Sequence, residues 1–358
     1  MIRVRCGEVL SVIEETSHRQ LLRVLVEGAE FEAVSFPPLV GVAAAGDQVT
    51  LNTSAVALSL GTGGQHFVMA IAGAEKDLSG KGHIMKVRYT PSQVQVLAVE
   101  EEASPYHDTL CLQCSLDNLP VSVATLHSLI APFAVAFKRT APSARLAYVM
   151  TDGAALPAQL SRLAQHLRRE GWLDAIITCG HAFGGDLEAV TVYSALQTAH
   201  HVVQAQACIV AMGPGVVGTG TPLGTTALEQ APILDGASAL GACSLALPRL
   251  SFVDPRPRHQ GLSHHSCTAL GRLTQRPTTI VLPVLSAEQT EIILAQCRQH
   301  QLIPKHRLLW EDVIDVDQQL AEAKVRVSSM GRSPAQDPAF FAAGAAAGQV
   351  AARLSMKC

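Results

Sequence analysis

Apolar and polar positions alternate along residues 1 to about 75 with the two-residue period of a strand. Val9, Ser11 and Ile13 interleave with polar neighbours, and Leu22, Val24 and Val26 repeat the pattern. Gly28 and Gly46-Asp47 punctuate these runs, Gln48 to Leu51 begins another, and Gly61-Thr62-Gly63-Gly64 forms a turn before Phe67 to Ile71. Short strands at regular spacing, with no helical period between them, predict a small β-barrel or sandwich over residues 1–80. Some such barrels carry a modified lysine, but Met85-Lys86 lacks the flanking pattern of a carrier site.

From about residue 95 the period changes. Gln95 to Val99 is strand-like, and Asp117 and Pro120 open a helical stretch through Leu126 and Leu129. A unit of apolar strand, glycine-rich or polar loop and amphipathic helix then repeats. Strands are expected at Arg145–Met150, Ala175–Thr178, Ala207–Met212, Cys243–Leu247, Thr278–Leu285 and Arg307–Trp310. Leu156, Leu160, Leu163 and Leu167 share one helix face, with Gly171 as the stop. Ser286 followed by Gln289 is a capping box, and Asp337-Pro338 opens the last helix, in which Gly344 and Gly348 permit close packing. Alternating strands and helices imply parallel pairing. The fold class is therefore α/β, a mostly parallel Rossmann-like sheet covered by helices over residues 90–358, preceded by the small all-β domain. Gly82 to Tyr89, at the boundary, carries His83, Lys86 and Arg88 and is expected to pack against the strand-end loops or act as a lid.

Composition narrows the function. Hydrophobic residues make up 48% and charged residues 16% of the 358, enough for a large core and too little charge for disorder. Net charge is −3, and nine Phe, four Tyr and two Trp leave little for base stacking, so both facts argue against a nucleic-acid partner. Charges at Arg3 and Arg5 break any signal-peptide core, and no apolar run is long enough to span a bilayer. Nine scattered cysteines read as reduced thiols, and the cytoplasm is the expected compartment.

If the strands are parallel, the loops after them emerge at one edge, where open α/β sheets bind ligands. These loops concentrate Gly, His, Asp and Thr. Thr151-Asp152-Gly153 follows the first; Cys179-Gly180-His181-Ala182-Phe183-Gly184-Gly185-Asp186 the second; Gly213-Pro214-Gly215-Val216-Val217-Gly218-Thr219-Gly220-Thr221 the third. The fourth carries Asp254, Arg256, Arg258 and His259 and leads to Ser263-His264-His265-Ser266. In the third loop, Gly213, Gly215, Gly218 and Gly220 can bring backbone amides close to an anion, with Thr219 and Thr221 adding hydroxyls. It lacks the lysine of a phosphate-binding P-loop and the acidic partner of a dinucleotide fingerprint. A tight turn with no ligand is the plain alternative.

His181, His264 and His265 can act as acid or base near neutral pH, Asp186 can orient them or bind metal, and Ser263 is a catalytic candidate or merely a helix cap. Asp152, Gly184, Gly185 and Arg258 are candidate ligand contacts. His181, Asp186, His264 and His265 are the ligand types of a metal site, though no tight spacing marks one and neither metal nor cofactor is specified. Cys111-Leu112-Gln113-Cys114 is a lone CxxC, read as two unrelated thiols. Cys179 is expected to be packing, and Gly331-Arg332 a further cation at the same edge.

Four segments taken together resemble a known family. His83-Ile84-Met85-Lys86-Val87-Arg88-Tyr89-Thr90-Pro91, Gly180 to Asp186, Gly213 to Thr221, and Arg258-His259-Gln260-Gly261-Leu262-Ser263-His264-His265 occur in the order seen in the bacterial domain-of-unknown-function family DUF3866. The resemblance runs over nearly the whole chain. It implies a bacterial cytoplasmic protein and assigns no catalytic residue.

Two functions follow from the residues. One is an enzyme of transferase or hydrolase type acting on an anionic, phosphorylated or acyl, small molecule laid across the Gly213 to Thr221 amides. The other is a ligand sensor or scaffold using the same pocket without chemistry. The loops with Asp152, His181, Gly215 and His264 are expected to surround that one pocket. Because the chain is apolar and weakly charged, a homodimer is expected as well. The helix from Phe340 to Leu354 would either form the interface or cover its own sheet.

Overall fold

A computed structural model describes residues 1–358 except Thr62, Ser79, Gln113 and Cys358. The turn expected over Gly61 to Gly64 thus includes one residue, Thr62, outside the described set. The chain forms two compact units, residues 1–81 with 87–95, and residues 82–86 with 96–358.

The first unit is a closed barrel of five strands, β1 (Val4–Glu15), β2 (Gln20–Val26), β3 (Ala29–Ser35), β4 (Gln48–Asn52) and β5 (His66–Ile71), in the order β1-β2-β3-β5-β4. Leu22, Val24 and Val26 point inward with Val9, Val49 and Leu51, while Arg23 and Leu25 face out. Ile13, expected to continue the inward row, is exposed. Register shifts at Val9/Ser11 and Val12/Glu14 rotate that end of β1, as bulges do.

The second unit contains eight parallel strands: β6 (Pro120–Ala124), β7 (Leu146–Thr151), β8 (Ala175–Thr178), β9 (Leu187–Glu188), β10 (Ala207–Met212), β11 (Cys243–Leu247), β12 (Thr279–Pro283) and β13 (Arg307–Glu311). Their order is β9-β8-β7-β10-β6-β11-β12-β13. Strand β6, near the middle of the sheet, lies where the sequence suggested a helix. All five of its residues are buried, so no alternation betrays a strand covered on both faces. Proline is accepted as its first residue. Positive φ at Asp117 and Asn118 turns the chain into the sheet instead of starting a helix. The helix begins only at Ile130, as α1 (Ile130–Thr140).

Along β7, Ala147 and Val149 enter one core while Leu146, Tyr148 and Met150 enter the other. The first core is closed by α3 (Val192–Gln197), α4 (Gln230–Ala239) and α6 (Ala287–Gln299). The second is closed by α1, α2 (Arg162–Arg169), α7 (Val316–Glu322) and α8 (Pro338–Ser355). Helix α2 starts after the expected stripe begins, because Ser161 accepts the Ala164 amide as its cap. Both bonds of the Ser286/Gln289 capping box are present. Asp337 stands at the N-cap of α8, but its carboxylate turns away from the helix amides to Ser251 and Arg332.

Helix α8 covers its own sheet, with Phe340 and Phe341 2% and 0% exposed. Both rings are therefore part of the chain's own core. A Cβ at Gly348 would stand 2.3 Å from the Phe133 carbonyl oxygen of α1, so glycine sets how closely the helices approach. Gly348→Ala is expected to cost about 1–3 kcal/mol through overpacking. Urea denaturation checks this, and an unchanged midpoint would show that the helices can separate freely. Among the described residues, no helix is long and apolar enough to cross a membrane.

The topology also singles out one place at the carboxyl edge. From β6 the chain moves left to β7, whereas from β10 it moves right to β11, although β6 and β10 are neighbours. The chain leaves β6 for α1 on one face and β10 for α4 on the other. Loops that leave neighbouring strands for opposite faces open a crevice between them, where ligands bind in open α/β sheets.

Candidate anion site at the sheet switch point

A cavity of about 140 Å3 occupies that crevice. Thr125 and Leu126 reach it from the end of β6, Val216 to Gly218 and Gly220 from the loop after β10, and Arg249, Arg256, Arg258, His259 and His265 from the segment after β11. A Cβ on Gly218 would fall 2.8 Å from His265 Cε1. Only a bare backbone lets that loop lie against the imidazole.

Ser263 organises the histidines. Its Oγ accepts the His265 amide at the start of helix α5 (His264–Cys267) and lies 2.8 Å from His259 Nδ1. The hydroxyl is fully buried. It serves here as cap and tether. Three rings then pack together, with centroids 4.1 Å apart for His264 and His265, 5.1 Å for His259 and His264, and 5.3 Å for His259 and His265. His264 Nε2, His265 Nε2 and Thr125 Oγ1 are buried without a hydrogen-bond partner among the described residues. Buried polar atoms are nearly always paired. Two of these three, on Thr125 and His265, belong to side chains that line the cavity.

The charges behind the cavity form a network around Asp254, which is fully buried. Arg249 and Arg256 each approach its Oδ2 at 2.8 Å and Arg332 at 3.3 Å, and Arg332 also reaches Asp337 at 3.1 Å. Four guanidinium groups, counting Arg258, thus face two carboxylates. Arg258 is exposed and makes no ion pair among the described residues. The Arg256 hydrogen bonds hold the Asp254 carboxyl well below the usual carboxylate range. Burial, aided by the arginines, pushes His259 down to about 3. Burial and then His264 push His265 down to about 4. Burial and then Arg258 lower His264 too. His259 and His265 are therefore neutral near pH 7, and each ring nitrogen can either donate or accept.

Of the residues singled out in the sequence, Gly218, Gly220, Arg256, Arg258, His259 and His265 line this cavity, and Ser263 and His264 adjoin it. Thr219 and Thr221 close their own turn, their hydroxyls 2.9 Å apart. Gly213 backs onto the Ala155 carbonyl, and Gly215 lies on the exposed part of the loop.

The others lie elsewhere along the edge and do not line this cavity. Strand β8, which leads to His181, stands four places from β11 in the sheet, or about 19 Å at the usual strand spacing of ~4.8 Å. There Asp152 accepts the His181 amide at 2.9 Å. Asp186 accepts from the Ile176 amide and from Arg168. Gly184 and Gly185 donate to Glu188 and Thr178. Beneath this loop Lys86, 1% exposed, donates to Thr178 O, Ala182 O and Glu188. Residues 82–86 of the Gly82 to Tyr89 segment are thus tied to a strand-end loop through Lys86, while residues 87–89 belong to the first unit. Among the described residues, no group of three or more His, Cys, Asp or Glu side chains is placed to hold a metal ion. Cys179 is buried, its thiol pushed up to about 12 by burial.

Sequence reasoning missed Thr125, Arg249 and Glu229. Glu229 accepts from Thr151 Oγ1 at 2.6 Å, and burial raises it to about 7. Nothing beside it in sequence signals this, because its partner Thr151 lies 78 positions earlier, at the end of β7.

Among curated proteins, none matches the chain. The family model described as protein of unknown function (DUF3866) matches residues 32–348, a span that includes the strand-end loops around the cavity, and the chain belongs to that family.

Proposed function

We propose that this protein binds an anionic small molecule at the switch-point cavity, through a phosphoryl or similar tetrahedral group, and acts on it as a hydrolase or transferase with His264 and His265 as acid and base. The observation that carries the reading is the pair of unpartnered buried atoms, Thr125 Oγ1 and His265 Nε2, in a cavity whose mouth holds the unpaired Arg258. A ligand oxygen at each would remove the cost of leaving them bare, about 1–3 kcal/mol apiece. The cavity volume suits one such group, with the rest of the molecule outside.

Calorimetric titration with sulfate and with phenyl phosphate tests the binding. Arg258→Ala is expected to weaken both about tenfold or more, as for a hydrogen bond to a charged group. Sulfate keeps its charge over the working range, so its pH dependence reports the protein. A bound anion raises the His265 pKa from its free value of about 4, so binding takes up a proton. Affinity therefore grows as pH falls from 8 towards 5 and levels off below 4. No binding of either anion, or equal binding by the Arg258→Ala variant, would remove the site. Release of phosphate from a panel of phosphomonoesters tests the chemistry. Turnover lost in His264→Gln and His265→Gln with binding retained supports the enzyme. Binding with no turnover supports the sensor, a reading favoured by Ser263, whose hydroxyl is buried and already shared by His259 and the His265 amide.

A further inference from the structure

We propose that Cys111 and Cys114 form a peroxide-reactive dithiol in which His107 is the base that activates Cys111. Both thiols are free and exposed. Cys111 lies on the short helix His107–Leu112, one turn after His107, so the two side chains share a face. Gln113, between the cysteines, is outside the described residues.

The geometry fixes the tautomer of His107. Its Nδ1 is 2.7 Å from the Glu100 carbonyl oxygen, which can only accept, so Nδ1 carries the proton. The lone pair therefore belongs to Nε2, which lies 3.5 Å from Cys111 Sγ. The thiol donates to that nitrogen. A nucleophile, a base and a third group that orients the base form the arrangement by which weak nucleophiles are activated. Cys179, Cys267 and Cys297 are buried instead. Burial pushes the Cys179 and Cys267 thiols up to about 12 and Cys297 to about 11. Cys6 is exposed on a barrel strand, with no imidazole bonded to it among the described residues.

The chemistry balances with hydrogen peroxide as the oxidant. Cys111 passes its proton to His107 Nε2, and the thiolate attacks one peroxide oxygen. The O–O bond breaks, and the departing hydroxide takes the proton from the imidazolium to leave as water. Cys111 is then a sulfenic acid. The Cys114 sulfur attacks the Cys111 sulfur, the S–O bond breaks, and the Cys114 proton leaves with that hydroxide as a second water. Two thiols and one peroxide give one disulfide and two waters.

The full-length protein supplies its own control in Cys6. With one equivalent of hydrogen peroxide, followed by alkylation and peptide mass mapping, the Cys111–Cys114 disulfide is expected before any loss of free Cys6. Iodoacetamide should label Cys111 about tenfold faster than Cys6 or more. In Cys114→Ser the sulfenic acid at Cys111 should be trapped by dimedone. His107→Gln should bring the Cys111 rate down to that of Cys6 without changing the circular dichroism spectrum. Equal rates for Cys111 and Cys6 in the unaltered protein would overturn the proposal, whether or not the His107 variant folds. So would a folded His107→Gln protein with undiminished Cys111 reactivity.

Discussion

Asp254→Asn is expected to destabilise the α/β unit by about 3–5 kcal/mol, the usual cost of removing one partner from a buried ion pair. Asp254 is fully buried and Arg249 is 6% exposed, so water cannot take over from the lost carboxylate. Arg249, Arg256 and Arg332 would then face one another with only Asp337 to offset them. Asparagine fills the same space, which separates the charge from the packing. Urea denaturation of the variant measures the loss. The double variant Asp254→Asn, Arg249→Met should recover part of it, because the stranded charge goes with its partner. A double variant no more stable than the single one would show that Asp254 acts through the hydrogen bond it accepts from the Arg256 amide, not through charge. The pH dependence has a definite sign. The Asp254 pKa is depressed in the folded state, so its contribution is complete above the ordinary carboxylate range and is lost only as pH falls through the lowered value. Between pH 5 and 8 the penalty should therefore be flat.

Lys86→Met should cost about 3 kcal/mol, near the lower end for a broken buried pair. The ammonium serves three acceptors at once: two carbonyls, Thr178 O at 3.0 Å and Ala182 O at 2.6 Å, and Glu188 Oε2 at 2.6 Å. Methionine keeps most of the volume and none of the donors. The loss falls short of the largest values because Glu188 retains hydrogen bonds from Thr178 Oγ1 and the Gly184 amide. Since those partners bracket residues 178–188, hydrogen exchange should quicken in this loop first. Lys86→Met with Glu188→Gln should be more stable than Lys86→Met alone. Unchanged exchange in the loop of the Lys86→Met protein would show that the loop does not depend on the lysine.

The sequence by itself determined what local periodicity and single-residue chemistry can carry. Alternation in Leu22, Val24 and Val26 marked the barrel strand β2, and the Ser286/Gln289 spacing marked the start of α6, because each signal is complete within one element. Strand-then-loop repetition likewise placed the glycine- and histidine-rich segments at one sheet edge. Strand β6 escaped because a strand buried on both faces has no polar phase to read, and its position at the switch point depends on its two distant partners, β10 and β11. The division of the edge into separate places was decided by strand order. His181 and His265 follow equivalent strands in sequence, yet three strands intervene between β8 and β11 in space. The cavity's remaining members depended on the same long-range placement. Arg249 and His265 lie 124 and 140 positions after Thr125, and no local pattern relates them to it. Only the folded sheet brings a threonine after β6 and an imidazole after β11 to the same crevice, where burial removes water and leaves their polar atoms without a hydrogen-bond partner among the described residues.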